Sequence, residues 1–126
     1  MTNEVLIQKA KEITKFKQLS DEALAGEVGS ALITDKGSVY TGISIHAASG
    51  VGFCAEHTAI ANMITNGESR IAKIVAVNGE GKILAPCGRC RELIYQVNHQ
   101  NMETDVILEK DRTAKLRDLL PEREGY

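Results

Sequence analysis

Residues 54–98, CAEHTAIANMITNGESRIAKIVAVNGEGKILAPCGRCRELIYQVN, alternate between two hydrophobic periods. From 54 to 66, Ala55, Ala59, Ile60, Met63 and Ile64 recur at three- and four-residue spacing, which predicts a helix, and Gly67 suits its C-terminal stop. IAKIVAVNG (71–79) is a nearly continuous apolar run, the mark of a strand covered on both faces. GKILAP then leads into a helix over about 87–98 that carries Leu93, Ile94 and Val97. Beyond it, TDVILEK (104–110) reads as a strand and TAKLRDLLP (113–121) as a short closing helix. Strand–helix–strand alternation predicts parallel pairing through right-handed crossovers.

Upstream, residues 4–19 place Val5, Leu6, Ala10, Ile13 and Phe16 on one broad helical face. The polar break SDEALAGE follows, then two β-runs at about 28–34 and 38–45, joined by Asp35-Lys36-Gly37, a hairpin signal. The loop HAASGVGF connects them to residue 54, and its glycines allow close backbone approach. The element order is helix, hairpin, helix, strand, helix, strand, helix. The expected fold is α/β, a three-layer α/β/α sandwich around a mixed sheet, with residues 1–126 as a single domain.

Composition narrows the function. Fifteen Lys and Arg stand against seventeen Asp and Glu, so no basic excess exists to neutralise a phosphate backbone. Phe16, Phe53, Tyr40, Tyr95 and Tyr126 are the whole aromatic complement, too few for a base-stacking surface. The expected partner is therefore a small molecule, with no nucleic acid polymer and no membrane. No run approaches eighteen apolar residues, and the charged N-terminal stretch is a poor signal peptide, which points to the cytoplasm.

In a reducing compartment the three cysteines, Cys54, Cys87 and Cys90, point to a metal or redox site rather than disulfides. Cys54-Ala55-Glu56 opens one predicted helix and Pro86-Cys87-Gly88-Arg89-Cys90 the next. Cys87 and Cys90, three apart on a first turn, share one side and have the chelating spacing of many zinc sites. Two helix starts lying side by side would bring all three sulfurs together, where free N–H groups favour thiolate. Three thiolates on Zn²⁺ leave one tetrahedral position open, as in a catalytic site. Such a zinc is less acidic than one held by imidazoles, so water at it needs a base. Glu56, too close to Cys54 to be an ordinary fourth ligand, is the candidate.

CAE followed about thirty residues later by PCxxC resembles the zinc motif of the cytidine deaminase family, related to the H-x-E…P-C-x-x-C form of base deaminases. The resemblance extends over about residues 25–120: VGSALITDKGSVYTGISI resembles the family's opening hairpin, NGESRIAKIVAV its helix-to-strand passage, and CRELI the helix after the last ligand. Cysteine at the first ligand position is typical of the small, free-nucleoside, usually homotetrameric branch. Within it, PCGRCR and DLLP look closest to blasticidin S deaminases. The resemblance implies a cytidine deaminase-like fold and Zn²⁺ held by Cys54, Cys87 and Cys90. It implies that Glu56 carries a proton from the attacking water to N3 of a cytosine ring and later to departing ammonia. Deamination of cytidine, deoxycytidine or blasticidin S to the uracil form is the implied reaction. Backbone groups of Ala55 and Ala85 would read the ring's polar edge, and Arg91 would offset thiolate charge.

The sequence departs from the family where the sugar is usually held. Asn-x-Glu at the end of the second strand is here Ser44-Ile45-His46, and Phe-Pro-Val-Gly is Gly26-Glu27-Val28-Gly29. His57 stands where cytidine deaminases usually have arginine. Ser44 and His46 are thus the candidate sugar-side residues, and Arg89, Arg91 and His57 the candidate groups around the ligands. Other readings of the same residues are a C-x-x-C dithiol, buried inert thiols, and a closed Cys₃His site with His57 or His99 as fourth ligand. A non-catalytic zinc-stabilised binding or scaffold domain, a deaminase of another amino-heterocycle and a polynucleotide editor complete the set of alternatives.

Overall fold

The computed structural model describes residues 1–123. The chain runs α1 (Asn3–Ile13), β1 (Lys17–Gln18), β2 (Ala23–Thr34), β3 (Val39–Ala47), α2 (Ala55–Thr65), β4 (Ile71–Asn78), β5 (Ile83–Leu84), α3 (Gly88–Val97), β6 (Asp105–Glu109), β7 (Arg112–Lys115) and α4 (Leu116–Leu119). All seven strands join one sheet. β2 pairs antiparallel with β3 on one edge and with β4 on the other; β4 continues parallel to β6, and β6 antiparallel to β7. The parallel β4–β6 pair is the crossover expected from the strand–helix–strand alternation.

Each sheet face buries its own apolar set, which makes three layers. On one face Leu6, Ile7 and Ala10 of α1 pack against Ala31, Val75, Val77 and Ile107. On the other, Ala59, Ile60 and Met63 of α2 and Ile94 and Tyr95 of α3 pack on Leu32, Ile74 and Val106. Burying each large aliphatic side chain contributes about 2 kcal/mol, so the second set fixes where α2 and α3 lie on the sheet. Gly42 lets α2 approach β3 very closely. A Cβ there would lie 2.4 Å from the Ala59 nitrogen and 2.6 Å from Thr58 Cβ. At that contact Thr58 Oγ1 donates to the Ile43 carbonyl at 2.9 Å, occupying an acceptor on the sheet's edge strand.

Three sequence-based expectations are corrected. The first helix ends at Ile13, where Thr14 Oγ1 turns back to the Ala10 carbonyl at 2.6 Å, so Phe16 is 62% exposed instead of joining an apolar face. The first of the two β-runs begins at Ala23, inside the supposed polar break; a bulge between Ala25 and Gly29, with Gly26 at φ +83°, breaks the alternation there. Residues 113–121 are not one helix: Arg112–Lys115 pair with β6 as β7, leaving α4 a single turn. β7 is mostly exposed, so it lacks the apolar pattern by which a strand is recognised. Among the described residues no helix is long and apolar enough to cross a membrane.

Candidate metal and active site

Cys54 is the N-cap residue of α2 and Cys87 that of α3, and neither side chain makes a capping hydrogen bond. Because both helices lie in one layer, their N-termini converge. Cys54 Sγ is 3.7 Å from Cys87 Sγ, and Cys87 Sγ is 3.5 Å from Cys90 Sγ. Sulfurs bound tetrahedrally to one zinc at about 2.3 Å stand about 3.8 Å apart, so the trio already has nearly the spacing of a tris-thiolate site. All three are free thiols.

His57, on the first turn of α2, brings Nδ1 to 3.4 Å from Cys90 Sγ; Cys54, His57 and Cys90 present donor atoms all within 4.8 Å of one another. The fit to a thiophilic divalent cation is chemical as well as geometric. Burial pushes the Cys90 thiol far up, helped by the Glu56 charge, and burial likewise raises Cys54. At Cys87 burial acts upward too, but hydrogen bonds from the Cys90 backbone and from the neighbouring thiols prevail and hold it below its usual value. Three thiolates and a carboxylate repel one another here, and a bound dication is what lets them ionise together. His99 is elsewhere: it stacks on Tyr95, centroids 4.5 Å apart, beyond the C-terminus of α3.

A cavity of about 150 Å³ opens beside the sulfurs, lined in part by Cys54, Ala55, Glu56, Ala85, Cys87, Ser44 and His46. The structure therefore gathers the candidate catalytic, metal and substrate-facing residues around one cavity. Cys90 is fully buried behind it. Glu56 is 5% exposed, and burial raises its carboxyl above the ordinary glutamate value. Ser44 Oγ accepts the Val28 N–H at 3.0 Å across the β2 bulge. Its hydroxyl proton stays available to donate. His46 sits at the exposed rim with Nδ1 3.8 Å from Glu27 Oε2.

Arg91 donates from Nε to the Pro86 carbonyl at 2.8 Å and from Nη1 to the Leu119 carbonyl at 3.1 Å. It thereby ties the turn that presents Cys87 to the chain's last helical turn. Arg89 is exposed and lies in a second groove next to the cavity. Burial, with Arg89's charge, holds His57 below the usual histidine value. Sequence reasoning left out Ala76 and Leu84, which complete the cavity wall from β4 and β5. Nothing local marks them, since only the register of β4 against β5 brings them to the site.

Comparisons with known proteins agree with this geometry. The family model described as the cytidine and deoxycytidylate deaminase zinc-binding region matches residues 1–104. A cytidine deaminase of Mycobacterium tuberculosis is 33% identical over 99 residues, covering 78% of this chain and 72% of that protein. The crystal structure of cytidine deaminase from Mycobacterium tuberculosis superposes with a TM-score of 0.81 at 30% identity, covering 98% and 97% of the two chains. A blasticidin-S deaminase of Bacillus cereus is 37% identical over 76 residues, 53% of this chain and 54% of that protein. With its three sulfurs and buried glutamate gathered as a zinc deaminase requires, the chain belongs to the cytidine and deoxycytidylate deaminase family.

Proposed function

We propose that this protein deaminates a free cytosine nucleoside, or a close analogue such as blasticidin S, to its uracil form. The exocyclic 4-amino group is exchanged for a water oxygen and leaves as ammonia. The observation that carries the reading is Glu56, buried at the cavity wall beside three converging sulfurs. Zinc on Cys54, Cys87 and Cys90 would supply the Lewis acidity that makes a water reactive at neutral pH.

The chain's own groups do the rest. Glu56 takes the proton of the attacking water and passes it to N3 of the ring as oxygen bonds to C4. It then takes the remaining proton from the new C4–OH and delivers it to the amine nitrogen as the C4–N bond breaks and C4=O forms. Burial raises the carboxyl above the ordinary glutamate value, so it holds a proton more readily than a free carboxylate, which suits a group that both takes and returns one. The backbone at Ala55 and Ala85, residues of the cavity lining, would read the ring's polar edge. His57 tempers the Cys90 sulfur, and Arg91 holds the Pro86–Cys87 turn in place. Ser44 and His46 face the sugar side, with only one hydroxyl and one rim imidazole for its polar groups.

The same proposal includes a cytoplasmic, homotetrameric protein whose single domain spans the chain. An apolar groove of about 600 Å³ between α2 and α3, lined by Phe53, Ile60, Ala61, Ile64, Leu93 and Val97, supports association. Light scattering on the eluting protein tests it; a monomer at micromolar concentration refutes that part.

The central experiment is ammonia release by zinc-loaded protein given cytidine, deoxycytidine and blasticidin S, alongside Glu56→Gln. The expected result is turnover of at least one substrate by the wild type, and a 10²–10⁴-fold loss in the variant with zinc content retained. An inactive wild type on all three, or a fully active Glu56→Gln, refutes the proposal.

A further inference from the structure

The three sulfurs are not equally placed toward solvent. Cys87 is exposed and Cys54 half-buried, whereas Cys90 is fully buried. Cys54 and Cys87 both line the cavity of about 150 Å³, and Cys54 also lines a neighbouring groove of about 380 Å³. A water-sized reagent entering from these openings meets the same two sulfurs first.

Their bonding differs in the same sense. Cys54 and Cys87 are the N-cap residues of α2 and α3 and make no capping hydrogen bond, so turning either side chain breaks none. Cys90 sits inside the first turn of α3, with its sulfur 3.4 Å from His57 Nδ1. Cys54 Sγ stands 3.7 Å from Cys87 Sγ, and a disulfide needs about 2.05 Å, so the pair has about 1.7 Å to close. Cys90 is a little nearer to Cys87, at 3.5 Å, but it has to leave a packed position to move.

We propose that Cys54 and Cys87 form a hydroperoxide-sensitive dithiol, whose oxidation to a disulfide expels zinc and closes the site reversibly. The exposed Cys87 sulfur attacks one oxygen of hydrogen peroxide; the O–O bond breaks, Cys87 becomes a sulfenic acid, and the other oxygen leaves as water. The Cys54 sulfur then attacks Cys87 Sγ. The S–S bond forms as the S–O bond breaks, and the hydroxyl departs with the Cys54 proton as a second water. Two thiols have given up two electrons, and one peroxide has become two waters. Cys90 and His57 are what remain to face the ion, fewer than the three protein ligands of a catalytic zinc. The crosslink joins positions 33 apart and holds the start of α2 beside that of α3, as the ion does. A reducing dithiol that attacks the disulfide restores both sulfurs. None of this depends on the deaminase reading, since sulfur oxidation needs no nucleoside.

The test adds hydrogen peroxide in molar excess to the zinc-loaded protein and to the same protein stripped by a chelator. Released zinc is read with a chromogenic chelator and free thiols with a thiol reagent. Trypsin then maps the link without reduction, because cuts at Lys36, Arg70, Lys82, Arg89 and Arg91 place each cysteine in its own peptide. Free thiols should fall from three to one in both forms, and the peptide of Cys54 should be joined to that of Cys87. In the loaded protein one zinc should leave for each link formed. Dithiothreitol followed by zinc should return all three thiols and the bound ion.

Zinc retained alongside the link, a Cys87–Cys90 link in its place, sulfinic acid without a link, or unchanged thiols in either form would each overturn the inference. Thiols that dithiothreitol does not recover would do the same. Because no readout needs turnover, an inactive protein that forms the link sinks the deaminase reading alone. An active one that fails to form it refutes the redox pair alone.

Discussion

Gly42→Ala perturbs the site from below without touching any residue in it. The added Cβ would stand 2.4 Å from the Ala59 nitrogen, 2.6 Å from Thr58 Cβ and 2.7 Å from the Thr58 carbonyl carbon, whereas ordinary contact begins near 3.4 Å. Two of these atoms are backbone, so no side-chain rotation relieves the clash, and α2 has to retreat by about 1 Å. Overpacking of this kind costs about 1–3 kcal/mol of stability. Cys54 and Glu56 lie on the same helix start, so the retreat also moves them relative to Cys87 and Cys90 on α3. A misplacement of about 1 Å in a catalytic constellation can cost about 10²-fold in rate. The assay is urea unfolding, zinc content and kcat on the best substrate, compared with Gly79→Ala, where an added Cβ meets nothing within 4 Å. Gly42→Ala should lose stability and turnover while Gly79→Ala keeps its turnover. Wild-type stability and kcat in Gly42→Ala would refute the claim that the α2–β3 approach positions the site.

Glu68 accepts hydrogen bonds from Tyr40 Oη at 2.6 Å and Thr34 Oγ1 at 2.7 Å, and these hold its carboxyl below the ordinary range. A depressed carboxyl contributes stability above its unfolded value and loses it as pH falls through the folded one. The urea midpoint of the wild type should therefore exceed that of Glu68→Gln at pH 7, with the gap closing below about pH 4.5; a pH-independent gap refutes this. Asn101 is fully buried, accepting the Ile71 N–H at 2.8 Å and donating to the Ser69 and Ile94 carbonyls at 3.0 and 2.9 Å. Asn101→Ala should cost about 2–4 kcal/mol in chemical unfolding, since it strands buried backbone groups, and a loss under 1 kcal/mol counts against that account. Chelation of zinc should lower the melting temperature and speed amide exchange at the starts of α2 and α3 more than at α1, whose Thr2 caps Val5 N at 3.2 Å. Uniform exchange across the three helix starts would contradict it.

How much of this could be read from residues alone depends on whether the relevant signal is local. The α2–β4–α3 stretch carries its period in its own side chains, and the structure returns it within a residue or two of the expected bounds. The gathering of Cys54, Cys87 and Cys90 beside Glu56 was legible because these residues sit at helix starts, which sequence marks well. β7 and β5 were not, because a short exposed or half-buried strand exists through its partner's hydrogen bonds and leaves little pattern of its own. Phe16 misled because a helical face can be drawn through it, whereas Thr14 ends the helix first. Gly42 carries no mark at all until α2 is laid on β3.

The two helix N-caps show why this fold places its chemistry where it does. Capping positions ordinarily go to Ser, Thr, Asp or Asn, and forgoing such a cap costs about 1 kcal/mol per helix. Here both α2 and α3 begin on cysteines that make no capping hydrogen bond. In isolation that is a defect repeated twice on one side of the sheet. It becomes coherent once one ion is allowed between them, because a dication ionises the sulfurs and thiolates interact favourably with the free N–H groups and dipoles of both helix starts. Binding the metal and stabilising the two helix starts are then one event, and Glu56, in the first turn of α2, is positioned by the same event. A closed four-ligand site would satisfy the helices equally well. What separates the two cases is the buried glutamate facing a cavity of about 150 Å³ beside the sulfurs. Burying an ionisable side chain at that place carries a desolvation cost, and the proton-transfer role proposed for Glu56 gives that burial a use.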